Sequence, residues 1–170
     1  MTEARPSNAP RRSASRRLNG ALAWTLALVL AAVVAVSAAP ARAQDFRLPG
    51  LNGGQLSAGD LAQGTTILVV WASWSPKCRD IVDRVNAIHR AWGGRARVAT
   101  VDFQEDRADV AGFLKGKSLS VPVYLDTDGS FSKSKAVTTL PGLLVIRDGK
   151  TAYRGRLPDD PDSVLSGAIQ

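Results

Sequence analysis

The sequence predicts an α/β domain: one mixed sheet with helices on both faces and a small hairpin ahead of it. Two observations carry that expectation. Short β-branched apolar runs, TILVVW at 66–71 and RVATVDF at 97–103, alternate with a segment of helical period at 76–92. The chain then closes on LLVIR, Asp148-Gly149 and TAYRGR, two strand-like runs joined by a turn pair suited to a tight hairpin. The order strand, helix, strand, helix, strand, hairpin, helix fits layers packed around a single core.

The elements follow in order. At 45–60 the stretch DFRLPGLNGGQLSAGD is polar and Gly-rich, and reads as a small hairpin. Phe46 and Leu48 alternate inward, Asn52-Gly53-Gly54 turns, and Leu56 lies on the return. A turn of helix is expected at 57–61. The 66–71 run has no alternation and suits a central strand buried on both faces.

Ser75-Pro76 is a favourable cap and first-turn pair, so a helix is expected from about Pro76 to Trp92. Its apolar face comprises Cys78, Ile81, Val82, Val85, Ile88 and Ala91, and Gly93-Gly94 ends it. A helix is expected at 106–114, with Val110, Phe113 and Leu114 inward, and a strand at 121–125, where Pro122 indicates an edge or entry position. Asp126-Thr127-Asp128-Gly129 is a turn, and 131–137 a short helical or irregular link. A last helix carries Val164, Leu165 and Ile169 on one face, with acids at its start favoured by the helix dipole.

The first 43 residues differ in kind. Arg5, Arg11, Arg12, Arg16, Arg17 and Arg42 face a single acid, Glu3, giving this stretch a net +5. Residues 21–41 carry no charge, and Ala41-Arg42-Ala43 is a small-residue exit. Basic region, apolar core and exit form an export signal cleaved after Ala43, or, if uncleaved, a single N-terminal membrane anchor over 21–41. In either case the body is placed outside the cytoplasm, in the periplasm or another extracytoplasmic space. The expected division is 1–43 as leader and 44–170 as one domain.

Locating the charges removes most of the case for a nucleic-acid partner. The whole chain is +7, but residues 44–170 hold 16 basic and 14 acidic groups, a net +2. One cysteine, Cys78, excludes an intrachain disulfide and an all-thiolate metal cage. No Gly-rich phosphate loop is present, and no cofactor or metal site is expected. Membrane contact is expected only through the N-terminal segment.

The words DFRLPGLNGGQLSAGDL, TTILVVWASWSPKC, SVPVYLDTDGSFSKSKAVTTLPGLLVIRDGK and TAYRGR together carry a family resemblance. The body resembles the thioredoxin-like fold, and most closely the exported TlpA/ResA-like thiol-disulfide proteins. The resemblance implies a thioredoxin-like three-layer sandwich with a mixed central sheet and an N-terminal hairpin extension. It also implies that Leu140-Pro141 is a cis junction beside the active-site loop, helping to hold an extended substrate segment. The groove would then comprise Trp74, Pro76, Lys77, Leu140, Pro141 and Gly142, the glycine leaving it open.

The departure from the family lies at Ser75. Members carry C-x-x-C where this chain reads Ser75-Pro76-Lys77-Cys78. Serine has no accessible thiolate and forms no disulfide, so Ser75 replaces the attacking cysteine and is expected to cap the helix. A serine nucleophile would need an adjacent base, and the only histidine, His89, is about three helical turns away. Cys78 stands at the resolving position. It is either a structural thiol facing inward, a monothiol forming mixed disulfides, or, less readily, a ligand to metal shared with a partner.

Lys77 is a solvated charge or a modulator of a nearby thiolate. Trp71 is expected in the core, and Trp74 in the core or as an apolar wall of the groove. Tyr124, Asp126 and Asp148 read as sheet and turn residues, and no paired-acid catalytic pattern is apparent. The expected function is that of an exported redox-associated protein, at most a monothiol exchanger through Cys78 and not a dithiol oxidoreductase. The other reading is a non-catalytic module that binds a peptide or partner, with Cys78 buried. The expected partner is an exported protein thiol or disulfide, or an extended peptide segment.

Overall fold

In the computed structural model, residues 45–169 are described, and the expected leader at 1–43 lies outside them. The sheet has five strands in the order β5-β4-β3-β6-β7, with a separate two-stranded hairpin of β1 and β2. The strands are β1 Arg47–Pro49, β2 Gln55–Ser57, β3 Thr65–Trp71, β4 Arg97–Phe103, β5 Val123–Asp126, β6 Gly142–Arg147 and β7 Lys150–Arg156. The helices are α1 Ala58–Leu61, α2 Ile81–Trp92, α3 Arg107–Leu114, α4 Ser130–Ser134 and α5 Asp162–Ile169. Among these described residues no helix is long and apolar enough to cross a membrane.

β3 is the middle strand, parallel to β4 and antiparallel to β6. That position explains its unbroken apolar run: Ile67, Val69 and Trp71 bury against one face, Leu68 and Val70 against the other. Each such side chain contributes about 1.5–3 kcal/mol on burial. The first face is covered by α2, α3 and α5, through Ile81, Val85, Ile88, Val110 and Leu165. The second is covered by the β1–β2 hairpin, α1 and α4, through Leu48, Leu56, Leu61 and Phe131. The sandwich therefore has three layers, as expected.

Strand β4 occupies the expected residues, and β5 is an edge strand with Pro122 just ahead of it. The β6–β7 hairpin turns on Asp148 and Gly149, both with positive φ, as a tight hairpin turn requires. Asp148 also ties this turn to the start of β3, its Oδ1 accepting the Gly64 N–H at 2.9 Å. At α1, Ser57 and Asp60 form a reciprocal cap, and Ser57 holds the Asp60 carboxyl below its ordinary range.

Two local expectations are corrected. The helix expected from Pro76 begins as a 3-10 turn, Pro76–Cys78, and the α-helix starts only at Ile81. Such tight turns are common at helix starts, where the first N–H groups have no i−4 carbonyl within the helix. Its apolar face also ends differently: Ala91 is exposed, and Trp92, four residues beyond Ile88, is buried instead. The Trp92 indole N–H donates to Asp162 Oδ1 at 2.7 Å and ties α2 to the start of α5.

Candidate functional site

The carboxyl end of β3 delivers the loop 72–75 to a cleft of about 390 Å³. Its walls are Trp74 and Ser75 from this loop, Phe103 from the end of β4, Ser132 from α4, and Val137–Leu140 ahead of β6. Trp74 is 60% exposed, whereas Trp71, three residues earlier, is fully buried against Phe113. The two tryptophans thus separate into a cleft wall and a core residue. The Leu140–Pro141 bond is cis, as the resemblance implied. Its carbonyl end is fixed, because Pro141 O accepts the Leu157 N–H at 2.9 Å.

Ser75 sits at the cap position of the 3-10 turn with extended backbone, φ −80° and ψ 119°. Its hydroxyl makes no capping bond, contrary to expectation. The first bond of the turn runs from the Cys78 N–H to the Ser75 backbone carbonyl at 2.9 Å, so the cap is made by main chain alone. Cys78 is fully buried in the core cluster that contains Trp71 and Ile81. Pro76 and Lys77 are exposed on the turn, outside the residues lining the cleft.

Pro141 and Gly142 are buried and do not line the cleft either. The expectation that Gly142 keeps the groove open is therefore corrected. A Cβ there would meet Val137 Cγ1 at 2.9 Å and the Thr139 carbonyl oxygen at 3.0 Å. The missing side chain instead lets the 137–139 segment pack down and form one wall.

The floor of the cleft is held from α4. The buried Asp126 carboxylate accepts the N–H groups of Phe131 at 3.1 Å and Ser132 at 2.8 Å, which are free donors at the helix start. Ser132 itself is 1% exposed, and its hydroxyl has no hydrogen-bond partner. Asp126 and Asp148 are thus structural carboxylates, as expected.

A pair of acids escaped the sequence reading. Asp102, at the end of β4, is fully buried beside Trp71 in the strand register, and Glu105 is 7% exposed. Glu105 Oε2 accepts the Ser73 backbone N–H at 2.5 Å, and its Oε1 accepts the Ser73 hydroxyl. The chain returns Glu105 to this point through Gln104, whose φ of 60° is uncommon for a residue with a side chain. Neither carboxyl oxygen of Asp102 receives a donor. Burial, then the hydrogen bond and charge of Glu105, push the Asp102 carboxyl up to about 9. The raised value favours the neutral acid at ordinary pH. The signal in the sequence was the inward register of Val98, Thr100 and Asp102; Glu105 had none.

His89 lies in the last turn of α2, outside the residues that line the cleft. Among the described residues no three His, Cys, Asp or Glu side chains gather as a metal site.

A central β3 between a parallel and an antiparallel neighbour, helices on both faces and a cis-proline immediately ahead of β6 define a thioredoxin-like α/β protein. The chain belongs to the redoxin family, whose model, described as Redoxin, matches residues 38–169. Within it, the similarity is to the TlpA/ResA-like thiol-disulfide proteins. The chain is 25% identical to sporulation thiol-disulfide oxidoreductase A of Bacillus subtilis over 113 residues, 64% of this chain and 68% of that one. It is 26% identical to thiol-disulfide oxidoreductase ResA of the same organism over 110 residues, 64% of this chain and 62% of ResA. Among solved structures, one assigned as the thiol:disulfide interchange protein DsbE of Chlorobium tepidum superposes with a TM-score of 0.65 at 25% identity. That match covers 75% of this chain and 95% of the other.

Proposed function

We propose that this is an exported redox-family protein that holds an extended polypeptide segment in the Trp74 cleft, and that its single thiol supports at most mixed-disulfide exchange. The observation that carries this reading is an open cleft beside a cis-proline, with a lone Cys78 fully buried behind Ser75. By the family resemblance Ser75 stands where the attacking thiolate would be. A serine hydroxyl cannot take that part, and one sulfur cannot cycle between dithiol and disulfide. Export is supported by the arginine-rich start, the uncharged run at 21–41 and Ala41-Arg42-Ala43.

The monothiol step requires the turn to open. The Cys78 thiolate would attack one sulfur of a partner disulfide; that S–S bond breaks, a Cys78–partner disulfide forms, and the second partner sulfur leaves as a thiolate. A small external thiol would then displace Cys78, taking its place in the disulfide. The second reading, a partner-binding module with a structural cysteine, is favoured by the complete burial of Cys78.

Insulin reduction separates these readings when native protein, Cys78→Ala and Ser75→Cys are compared. Little native turnover and a gain in Ser75→Cys are expected. Native turnover equal to that of Cys78→Ala removes cysteine chemistry and leaves the binding module. Strong native turnover that Cys78→Ala abolishes overturns the restriction to mixed-disulfide exchange.

A further inference from the structure

We propose that the cleft takes an acidic polypeptide segment. An apolar side chain of that segment enters between Trp74 and the 137–139 wall, and its carboxylates lie over Arg154 and Arg156 on the outer side of the wall. This rests on the proposed function, in which the cleft holds an extended segment, and adds the chemistry of that segment.

Charge is divided unevenly along the domain. Residues 129–158 hold six basic side chains against one acid, Asp148, a net +5. The rest of 44–170 holds ten basic and thirteen acidic groups, a net −3. Asp148 follows the far end of β6 from Gly142 and is spent on the Gly64 N–H. It therefore leaves the basic groups nearer the cleft unopposed.

Strand register turns this excess toward the cleft. Arg154 pairs with Leu144, and Arg156 with Gly142. Leu144 packs with Leu56 and Phe131, and residues opposite each other in a ladder share a face. Both arginines therefore stand on the face that α4 and the 137–139 segment cover. That segment packs down on Gly142, so Arg156 flanks it on one side while the cleft lies on the other. Arg154 is held toward α4, donating to the Lys135 carbonyl at 3.3 Å. Both arginines are exposed, and among the described residues neither forms an ion pair. The exposed Lys133 on α4 adds to the same field.

The cleft and its flank ask for different groups. No ionisable residue lines the cleft, so a charge placed there would lose water without gaining a partner. Trp74, Phe103, Val137 and Leu140 instead offer apolar surface. Carboxylates belong outside, where a guanidinium accommodates them in bidentate fashion. An extended chain advances about 3.3 Å per residue, so one short segment reaches both places. Guarding an edge strand accounts for charge on β7, but not for the lysines of α4.

The probe is a set of synthetic octapeptides with one leucine at a fixed position. The flanking positions carry Asp and Glu, Asn and Gln, or Lys and Arg in otherwise identical sequences. Binding to the full chain is read by fluorescence anisotropy. The acidic set should bind roughly tenfold tighter than the amide set at low salt, as two exposed charge pairs allow. High salt should remove most of that advantage. Arg154→Gln with Arg156→Gln should bring the acidic set down to the affinity of the amide set. Arg156→Glu alone should turn the preference toward the basic set, and it decides the matter if the double variant fails to fold. Trp74→Ala should weaken the acidic and amide sets alike.

Equal affinity for the acidic and amide sets overturns the proposal and leaves the peptide-holding cleft standing. Failure of every set to bind overturns both. Acidic peptides that bind as well without the leucine, or after Trp74→Ala, reveal a general anion surface and overturn the proposal too.

Discussion

The backbone N–H of Cys78 donates to the carbonyl of Ser75 at 2.9 Å, so the residue at the cleft and the only thiol are locked within one 3-10 turn. Ser75 faces the cleft while Cys78 points into the core with no exposed surface. Access to the sulfur therefore requires the turn to unwind or the loop 72–75 to shift. A soluble thiol reagent should label native Cys78 slowly and denatured protein at once. Labelling at the rate of a free small thiol would show that the turn is open in solution.

Because Cys78 packs as a small apolar side chain, removing its sulfur leaves a void behind Ser75. Cys78→Ala should lower unfolding free energy by roughly 1–2 kcal/mol, at the low end of large-to-small core changes. Chemical denaturation under reducing conditions measures this without contribution from disulfide chemistry.

The buried acid predicts the pH dependence of stability, and the sign follows from its raised value. Asp102 titrates near 3.8 when unfolded and near 9 when folded, so between these values the folded chain binds the extra proton. Its contribution to stability is fully present below pH 3.8 and is lost progressively as pH rises through 9. Asp102→Asn cannot ionise and escapes this loss. It should be more stable than the parent from neutral to alkaline pH, with the difference shrinking toward pH 4. Thermal melts of both proteins across that range provide the comparison, and a difference that grows on acidification would contradict it.

What was legible in the sequence depended on whether the information was local. The residues of β3 and β4 could be read because their side-chain pattern reports burial directly, and Asp148-Gly149 announced its hairpin through turn chemistry. The break between Cys78 and Ile81 was hidden, because Cys78 and Ile81 keep helical spacing whether the first turn is 3-10 or α. The Ser75 hydroxyl was assigned to a cap from residue type, yet its direction is decided by the cleft around it. The bond from Ser73 to Glu105 joins residues 32 apart in sequence, and Glu105 follows a left-handed Gln104. Similarly, Phe103 and Ser132 reach the cleft only through the sheet order and the Asp126 anchor.

That anchor gives another test. Asp126 satisfies two buried N–H groups at the start of α4, and replacement by alanine leaves both without an acceptor. Each orphaned donor costs about 1–3 kcal/mol, less whatever water recovers. Asp126→Ala should therefore be destabilised more than Asp128→Ala, although Asp128 also accepts an N–H, from Ser130 at 2.9 Å. Asp128 is exposed, so water can replace that bond. Equal losses in the two variants would mean that burial at Asp126 does not matter.

Gly142 provides the sharpest steric prediction for the cleft. Its position immediately after cis-Pro141 is fixed by strand pairing to Val70 on one side and Arg156 on the other. An added methyl would lie 2.9 Å from Val137 Cγ1 and 3.0 Å from the Thr139 carbonyl oxygen. The sheet cannot yield on either side, so the 137–139 segment must move away. Gly142→Ala should cost about 1–3 kcal/mol, in the range of overpacked cores. The displaced segment is itself a wall of the cleft, so the change should also alter the environment of the facing Trp74. Tryptophan fluorescence against a Trp74→Phe control reports that movement. An unchanged Trp74 signal together with undiminished stability would show that the close packing of Gly142 does not shape the cleft.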